Sequence, residues 1–237
     1  MGLLEILEKR RIKFYSAIAA LIFLVAFLPS LFILTPIYIL RLLVSKLKFI
    51  FHPNLAKLVP CRSTLIALDD WDSNPKWNLV VWLVADGNMS LDSFKETFRE
   101  KMLLAKNPDG TFVDPEYQQF YSKWFGFLFW EWDRNFNLNQ HFTLIKKSNN
   151  RPTSEPELKE ILKKLMWKPF EPRKSPWEFL LLQNYQSDSD ANTSFPKSVL
   201  IYRIHHGLCD GTKIIRLLLQ DMNNISVELN AKPSFVR

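Results

Sequence analysis

The longest uncharged stretch of the sequence, Phe14 to Leu40, limits most strongly what this chain can fold into. At about 1.5 Å per residue a straight helix of that length would reach roughly 40 Å, which exceeds the ~30 Å hydrocarbon core of a bilayer. A cleaved signal peptide fits poorly, because the apolar run is too long and no small-residue cleavage site follows it. The stretch is therefore predicted to be a membrane element.

Two forms of this membrane element stay open. Pro29 and Pro36 interrupt the run, so it can be a kinked or tilted single span, or a hairpin that bends at Pro29-Ser30 and returns to the same face. Both flanks are basic, which favours the hairpin mildly, but a single span is the preferred interpretation. The flank after the apolar run is basic and free of acid, with Arg41, Lys46, Lys48, Lys57 and Arg62. The positive-inside rule then puts the body of the protein in the cytosol.

The chain divides into an anchor and a body. Residues 1–59 are predicted to hold the membrane element and an amphipathic juxtamembrane segment, Leu42 to Leu58, lying on the lipid surface. Residues 60–237 are predicted to form the body. Hydrophobic and turn patterns there give the order strand, helix, helix, strand, helix, strand, strand, helix, which is a mixed α/β arrangement with helices flanking the sheet. Ser90 is predicted to cap the first helix and Asp114 to start the second, residues 186–196 suit a hairpin tip, and Val199 to His205 is predicted as a strand.

Charge and cysteine content exclude several functions. The net charge of +7 comes from scattered basic residues, without zinc-finger spacing or an RNA-binding signature, so a nucleic-acid partner is not expected. Cys61 and Cys209 lie far apart and form no CxxC pair, which argues against a disulfide framework and a structural zinc site. No metal is expected to bind.

The stretch that carries chemistry is Ser198 to Leu219, in which a predicted strand brings His205-His206 to a turn that ends at Asp210-Gly211. Neighbouring side chains on a regular strand point to opposite faces, so the two histidines are not expected to share a metal. One histidine is left to act as a general base near neutral pH. Asp210 can hold the turn or an arginine, and Gly211 can allow a close approach or a positive φ.

The same residues resemble a known family. The run from His205 to Gly211 is similar to the HHxxxDG signature of the condensation-domain or chloramphenicol-acetyltransferase-like superfamily. Three further pieces resemble the "FDL…HV" and "PLD…PLWE" segments of its wax ester synthase/diacylglycerol acyltransferase branch: 136–142, Trp167 to Pro172, and Ser175 to Glu178. Phe170 and Glu171 replace the usual Leu and Asp. The resemblance covers about residues 62–237.

The resemblance implies an O-acyltransferase that makes neutral lipid esters such as wax ester or triacylglycerol. His206 would be the general base, and His205, Asp210 and Gly211 would shape the turn. The partners would be acyl-CoA as co-substrate, a lipid alcohol or diacylglycerol, and membrane lipid. The anchor would lie in the endoplasmic reticulum, or on a lipid droplet if it is a hairpin.

Length is the main departure from the family, whose enzymes have two similar halves, whereas this chain matches the N-terminal half alone. We therefore expect a fragment of a longer protein. Two alternatives stay open. Copies of the chain can complete each other's sites in a homo-oligomer, or the chain can be a non-catalytic membrane-anchored protein that binds or tethers lipid.

Overall fold

A computed structural model of the chain describes residues 3–146, 151–187 and 197–222. Internal contacts divide the chain into two compact units, Met1–Pro53 and Asn54–Arg237. The body thus begins before Pro60, because residues that the sequence analysis places on the lipid surface form a strand of the second unit. The predicted hairpin tip at 186–196 lies mostly outside the described residues.

The first unit is a single helix, α1, which runs from Leu3 to Phe51 over 49 residues. It continues through Pro29 and Pro36, and there is no reversal at Pro29-Ser30, so the hairpin alternative is wrong for this structure. The part from Leu7 to Phe51 is long and apolar enough to cross a membrane, judged by length and composition only. Within the described residues no other helix meets that test.

The second unit is built around a four-stranded sheet in the order β2-β7-β6-β5. β7 pairs antiparallel with both β2 and β6, whereas β5 pairs parallel with β6. The central strand β7 is buried along almost its whole length, since it is covered by packing on both faces. The bounds are Asn78–Asp86 for β2, Phe142–Ile145 for β5, Trp177–Tyr185 for β6 and Lys197–His205 for β7.

A second, three-stranded sheet has the antiparallel order β1-β4-β3. Its strands are β1 (Leu55–Leu58), β3 (Gln119–Trp124) and β4 (Phe127–Trp132). β3 and β4 form a tight hairpin whose turn residues Phe125 and Gly126 both have positive φ, 48° and 76°. None of the three strands was predicted from the sequence. In β3 and β4, aromatic residues on both faces hide the two-residue alternation of a strand.

In the part of the chain that the structure describes, four α-helices flank the sheets: α2 (Cys61–Ala67), α3 (Leu91–Phe98), α4 (Glu155–Trp167) and α5 (Gly211–Arg216). Ser90 caps α3 as predicted, accepting a hydrogen bond from the Ser93 N–H. At α4 the Glu157 carboxylate accepts from the Ser154 N–H. α3 and α5 each continue as a π-helical turn, Arg99–Leu103 and Leu217–Asp221. The helix expected from Asp114 is a single 3₁₀ turn, Pro115–Gln118.

The core of the second unit lies on both faces of the four-stranded sheet. On one face α4 packs Leu158, Leu162 and Leu165 against Leu180 and Ile201. The other face carries an aromatic cluster in which Phe98, Tyr117, Trp177, Phe179 and Tyr202 are almost completely buried. Alternate residues of β6 and β7 supply the two clusters, as the pleat of a strand requires. The predicted mixed α/β fold with flanking helices is confirmed.

Candidate active site

The predicted turn between strand and helix is present at the end of β7. The strand ends at His205, and α5 begins at Gly211. The Asp210 carboxylate accepts a hydrogen bond of 2.8 Å from the Lys213 N–H and so caps α5. Of the two roles considered for Asp210, holding the turn is the one that the structure displays.

His205 is completely buried among polar partners. Its Nδ1 accepts from the Gly207 N–H at 3.3 Å and lies 3.4 Å from the Tyr121 hydroxyl. The ring proton is therefore on Nε2, which lies 3.5 Å from Asp69 Oδ2, a polar contact that is too long for a strong hydrogen bond. Burial lowers the pKa of His205 to about 4, although the Asp69 carboxylate opposes the shift. His205 is thus neutral at physiological pH.

His206 is partly buried, and one hydrogen bond fixes its tautomer. Its Nδ1 lies 3.1 Å from the backbone carbonyl oxygen of Cys209. A carbonyl oxygen can only accept, so Nδ1 carries the proton and Nε2 keeps its lone pair. The residue is also held through its backbone, because the His206 N–H donates to the Trp77 carbonyl at 2.8 Å. The Trp77 ring lies beside the imidazole, with 6.3 Å between the centroids.

A residue that the sequence analysis missed supports this arrangement. Asp69 follows α2 and has only 5% of its side chain exposed. Its Oδ2 accepts from the backbone N–H groups of Lys76 and Trp77, at 2.6 and 3.1 Å. Because Asp69 lies in a polar loop with two other aspartates, Asp70 and Asp72, no local pattern singles it out.

The position in the turn that has no room for a side chain is Gly207, whereas the sequence predicted a close approach or a positive φ at Gly211. A Cβ on Gly207 would lie 2.7 Å from the Tyr121 hydroxyl and 2.9 Å from the Ala67 Cβ. A Cβ on Gly211 would meet nothing within 4 Å, and its φ is not in the left-handed region. Gly211 is the first residue of α5, where ordinary helical backbone suffices, so the expectation for Gly211 is wrong.

Arg203 of β7 contacts several residues of the stretch 167–178, and it was not singled out from the sequence. The Arg203 guanidinium is 2% exposed and donates to Glu178 at 2.6 Å. It also donates to the Lys168 carbonyl at 2.5 Å and stacks on the Phe170 ring at 3.7 Å. A single charged residue inside the apolar run of β7 is the signal that could have identified it.

His141, which falls in another of the resembling segments, has a packing role. Its Nδ1 donates to the Trp177 carbonyl at 2.7 Å. The ring stacks between Phe136 and Trp177, with centroid distances of 5.2 and 4.2 Å. Burial lowers the pKa of His141, so the ring is neutral. The structure gives His141 no contact with the two histidines of the turn.

Cys209 is not arranged as a nucleophile or a metal ligand. Burial raises the pKa of its thiol to about 12, so the reactive thiolate does not form near neutral pH. Across residues 3–146, 151–187 and 197–222, no three His, Cys, Asp or Glu side chains are placed to hold a metal ion.

An open cleft of about 710 Å³ adjoins the other end of the turn. Its lining includes Asp210, Thr212, Lys213 and Asp114, but neither histidine. Lys213 and Asp114 form an ion pair of 2.5 Å there. Burial by itself would lower the pKa of Lys213. The hydrogen bond to Asp114 and the negative charge of that residue outweigh burial, so the pKa of Lys213 is raised. Lys213 is therefore engaged by an acid of the same chain.

The chain is similar to solved structures only. No model of a protein family matches it, and no curated protein matches it. Among solved structures it is similar to the wax ester synthase/diacylglycerol acyltransferase from Marinobacter aquaeolei. The identity is 14%, over 69% of this chain and 36% of that chain, with a TM-score of 0.47. The family that the sequence motifs resemble is thus represented among the similar structures.

Two further structures are similar to a comparable degree. The starter condensation domain of rhizomide synthetase is 13% identical over 70% of this chain and 36% of that chain, with a TM-score of 0.49. Trichothecene 15-O-acetyltransferase from Fusarium sporotrichioides is 14% identical over 68% and 32%, with a TM-score of 0.41. The chain spans about a third of the length of these structures. Likeness of this degree leaves the chemistry to be argued from the residues.

Proposed function

We propose that this chain belongs to an acyltransferase that moves an acyl group from acyl-CoA to a lipid alcohol or diacylglycerol, with His206 as general base. The observation that carries the proposal is the hydrogen bond from His206 Nδ1 to the Cys209 carbonyl. It leaves Nε2 unprotonated and able to take a proton from a hydroxyl group, which is what a general base in ester formation must do.

The proposed reaction needs no covalent enzyme intermediate. His206 Nε2 removes the hydroxyl proton as the alcohol oxygen attacks the thioester carbonyl carbon. The tetrahedral intermediate collapses, the carbon–sulfur bond breaks, and the thiolate of CoA takes the proton back from the imidazolium. Throughout this cycle the Cys209 carbonyl would accept from Nδ1–H, so it stabilises the positive charge that develops on the ring.

The other residues of the motif would frame the base. His205, neutral and buried, has no role in proton transfer in this proposal, since nothing in its contacts exposes a lone pair to substrate. Asp210 fixes the turn by capping α5. Gly207 lets the turn approach Tyr121 and Ala67 closely. With the thiol of Cys209 protonated, direct attack by the alcohol is the simpler route.

The long helix α1 suits substrates that dissolve in lipid. We propose that it anchors the catalytic unit to the membrane of the endoplasmic reticulum, with the second unit in the cytosol. The basic flanks of the helix support the cytosolic orientation. The remaining walls of the acyl-CoA site would come from the further half that a longer protein supplies, or from a second copy of the chain.

The test is ester formation by membranes that contain this chain. Labelled palmitoyl-CoA is supplied with hexadecanol or with diacylglycerol, and His206→Asn is the matched control. The asparagine amide can replace Nδ1–H as donor to the Cys209 carbonyl but offers no basic nitrogen. We expect ester from the unmodified chain and none above background from the variant. The acceptor that is esterified names the substrate.

Equal ester formation by the two proteins would exclude His206 as the base. No ester from well-folded protein would leave the alternative of a membrane-anchored lipid-binding or tethering protein. The observation behind that alternative is α1, whose length and apolar composition suit a membrane anchor whether or not the second unit is catalytic. The alternative predicts that His206→Asn leaves the neutral lipid content of cells unchanged.

A further inference from the structure

A single carboxylate oxygen meets three N–H groups at the base of the histidine turn. Asp69 Oδ2 accepts from the backbone of Lys76 at 2.6 Å and of Trp77 at 3.1 Å, and it lies 3.5 Å from His205 Nε2. The side chain is 5% exposed, so these groups, with little help from water, must balance its charge. Such a concentration of donors is typical of an ionised carboxylate.

These contacts connect Asp69 to His206 although the two residues do not touch. The Trp77 N–H donates to Asp69, and the Trp77 carbonyl accepts from the His206 N–H at 2.8 Å. The Trp77 ring also lies next to the imidazole of His206. Asp69 thus fixes the backbone N–H of Trp77, and the backbone carbonyl of Trp77 in turn holds the His206 N–H.

Asp69 also holds the other side of the turn. Its Oδ2 lies 3.5 Å from His205 Nε2, a buried atom that has no hydrogen bond to any described residue, and the Nδ1 of the same ring accepts from the Gly207 N–H. Gly207 directly follows His206, so the residues on both sides of His206 are tied to the same carboxylate. Burial raises the pKa of Asp69, but the two backbone N–H groups and His205 outweigh it and lower the net pKa, which keeps the group ionised.

We propose that Asp69 is a positioning residue for His206, which it acts on through the backbone of Trp77 and the ring of His205. The inference rests on the proposed function for its catalytic meaning, but its structural content can be tested without activity. It predicts that removal of the Asp69 carboxylate loosens the backbone of His206, a residue with which Asp69 has no contact.

The experiment is amide hydrogen exchange at single-residue resolution on the full chain in detergent micelles. Asp69→Ala, Asp69→Asn and the control Asp72→Asn are compared with the unmodified protein. Asp72 is an exposed aspartate of the same loop, so the control removes the same charge nearby. We expect Asp69→Ala to speed exchange of the Lys76, Trp77 and His206 amides by at least about tenfold. The first two amides lose their acceptor, and the His206 amide donates to a Trp77 carbonyl that Asp69 no longer holds in place.

Asp69→Asn keeps an acceptor oxygen but loses the charge. In this variant the amides of Lys76, Trp77 and His206 should exchange about threefold faster than in the unmodified protein, a smaller increase than in Asp69→Ala. This variant decides the question if Asp69→Ala fails to fold. Asp72→Asn should leave all three amides unchanged. Faster exchange at residues 76 and 77 with unchanged exchange at His206 would overturn the proposal, and so would three unchanged amides in Asp69→Asn.

Kinetics separate this proposal from the proposed function. If the unmodified chain forms ester, Asp69→Ala should lower kcat by about 10²-fold with little change in KM, because a misplaced base slows chemistry more than binding. If the unmodified chain forms no ester, the exchange measurements still test the positioning role. Positioning confirmed without ester would therefore count against the function alone.

Discussion

The two histidines at the end of β7 are adjacent in sequence and have opposite surroundings. His205 is completely buried, its Nδ1 accepts from Gly207, and its Nε2 faces a carboxylate. His206 is partly buried, its Nδ1 donates to a backbone carbonyl, and its Nε2 keeps a lone pair. The difference teaches that burial and the identity of one hydrogen-bond partner, rather than residue type, decide which histidine is suited to proton transfer.

Substitution of each histidine by asparagine tests most directly whether the two residues have different roles. We expect His206→Asn to lower the rate of ester formation by about 10²- to 10⁴-fold, the usual worth of a general base, while the melting temperature stays the same. His205→Asn should do the reverse and lower the free energy of unfolding by about 1–3 kcal/mol, because it disturbs buried hydrogen bonds. Thermal melts and ester assays on both variants check this, and equal effects would contradict the assigned roles.

A similar contrast of buried and exposed partners involves Arg203, which lies two residues before His205. Glu178 Oε1 pairs with this buried cation and with an exposed one, Lys168. Arg203 lies 2.6 Å from it with 2% of its side chain exposed, whereas Lys168 lies 3.5 Å away and is 54% exposed. We expect Arg203→Met to lower the free energy of unfolding by about 3–5 kcal/mol, since it leaves a largely buried carboxylate short of its main partner. Lys168→Met should cost no more than about 1 kcal/mol. Denaturant titrations of the two variants measure the difference.

The pH dependence of stability should report on His205. Its pKa is 6.5 when unfolded and about 4 when folded, so between these values the unfolded state binds the additional proton. The stability contribution is therefore complete above pH 6.5 and is lost as the pH falls toward 4, with a total on the order of 3 kcal/mol. Burial also lowers the pKa of His141, which adds to the same trend. Melting temperatures from pH 4.5 to 7 should rise, and His205→Asn should flatten the curve.

The smallest expected effect compares the two glycines of the turn. Gly207→Ala would place a Cβ 3.1 Å from the Ala67 Cα, in addition to its clash with Tyr121. We expect a loss of about 1–3 kcal/mol in the free energy of unfolding, as is usual for overpacking. Gly211→Ala should be neutral or slightly stabilising, because its Cβ meets open space at the start of a helix. Equal behaviour of the two variants in a melt would contradict this contrast.

Local signals were enough to predict the elements with strong periodicity or caps. The apolar run predicted α1, Ser90 predicted the start of α3, and Val199 to His205 was predicted as the strand that is now β7. The strands of the smaller sheet were missed. β1 has only four residues and follows a membrane-like segment, so nothing in Leu55–Leu58 distinguishes it from an amphipathic continuation.

Prediction of the site followed the same division. The strand–turn–helix context of the histidines could be predicted from spacing, because it depends on neighbours in sequence. For Asp210 the sequence left two roles open, holding the turn or an arginine, and the structure shows the first. Asp69, Tyr121 and Arg203 could not be read in this way. Asp69 and Tyr121 have His205 as partner, and Arg203 has Glu178. These partners lie 25 to 136 residues away in the chain, so only folding brings them together.

The sequence by itself determined the membrane-like helix, the mixed α/β class and the turn that presents the two histidines, because these arise from hydrophobic run length, strand patterning and helix caps. Only the tertiary structure decided the tautomer of His206, the neutrality of His205 and the need for Gly207 rather than Gly211. The physical reason is that each of these depends on desolvation and on the closest approach of atoms from distant segments, which no local pattern encodes.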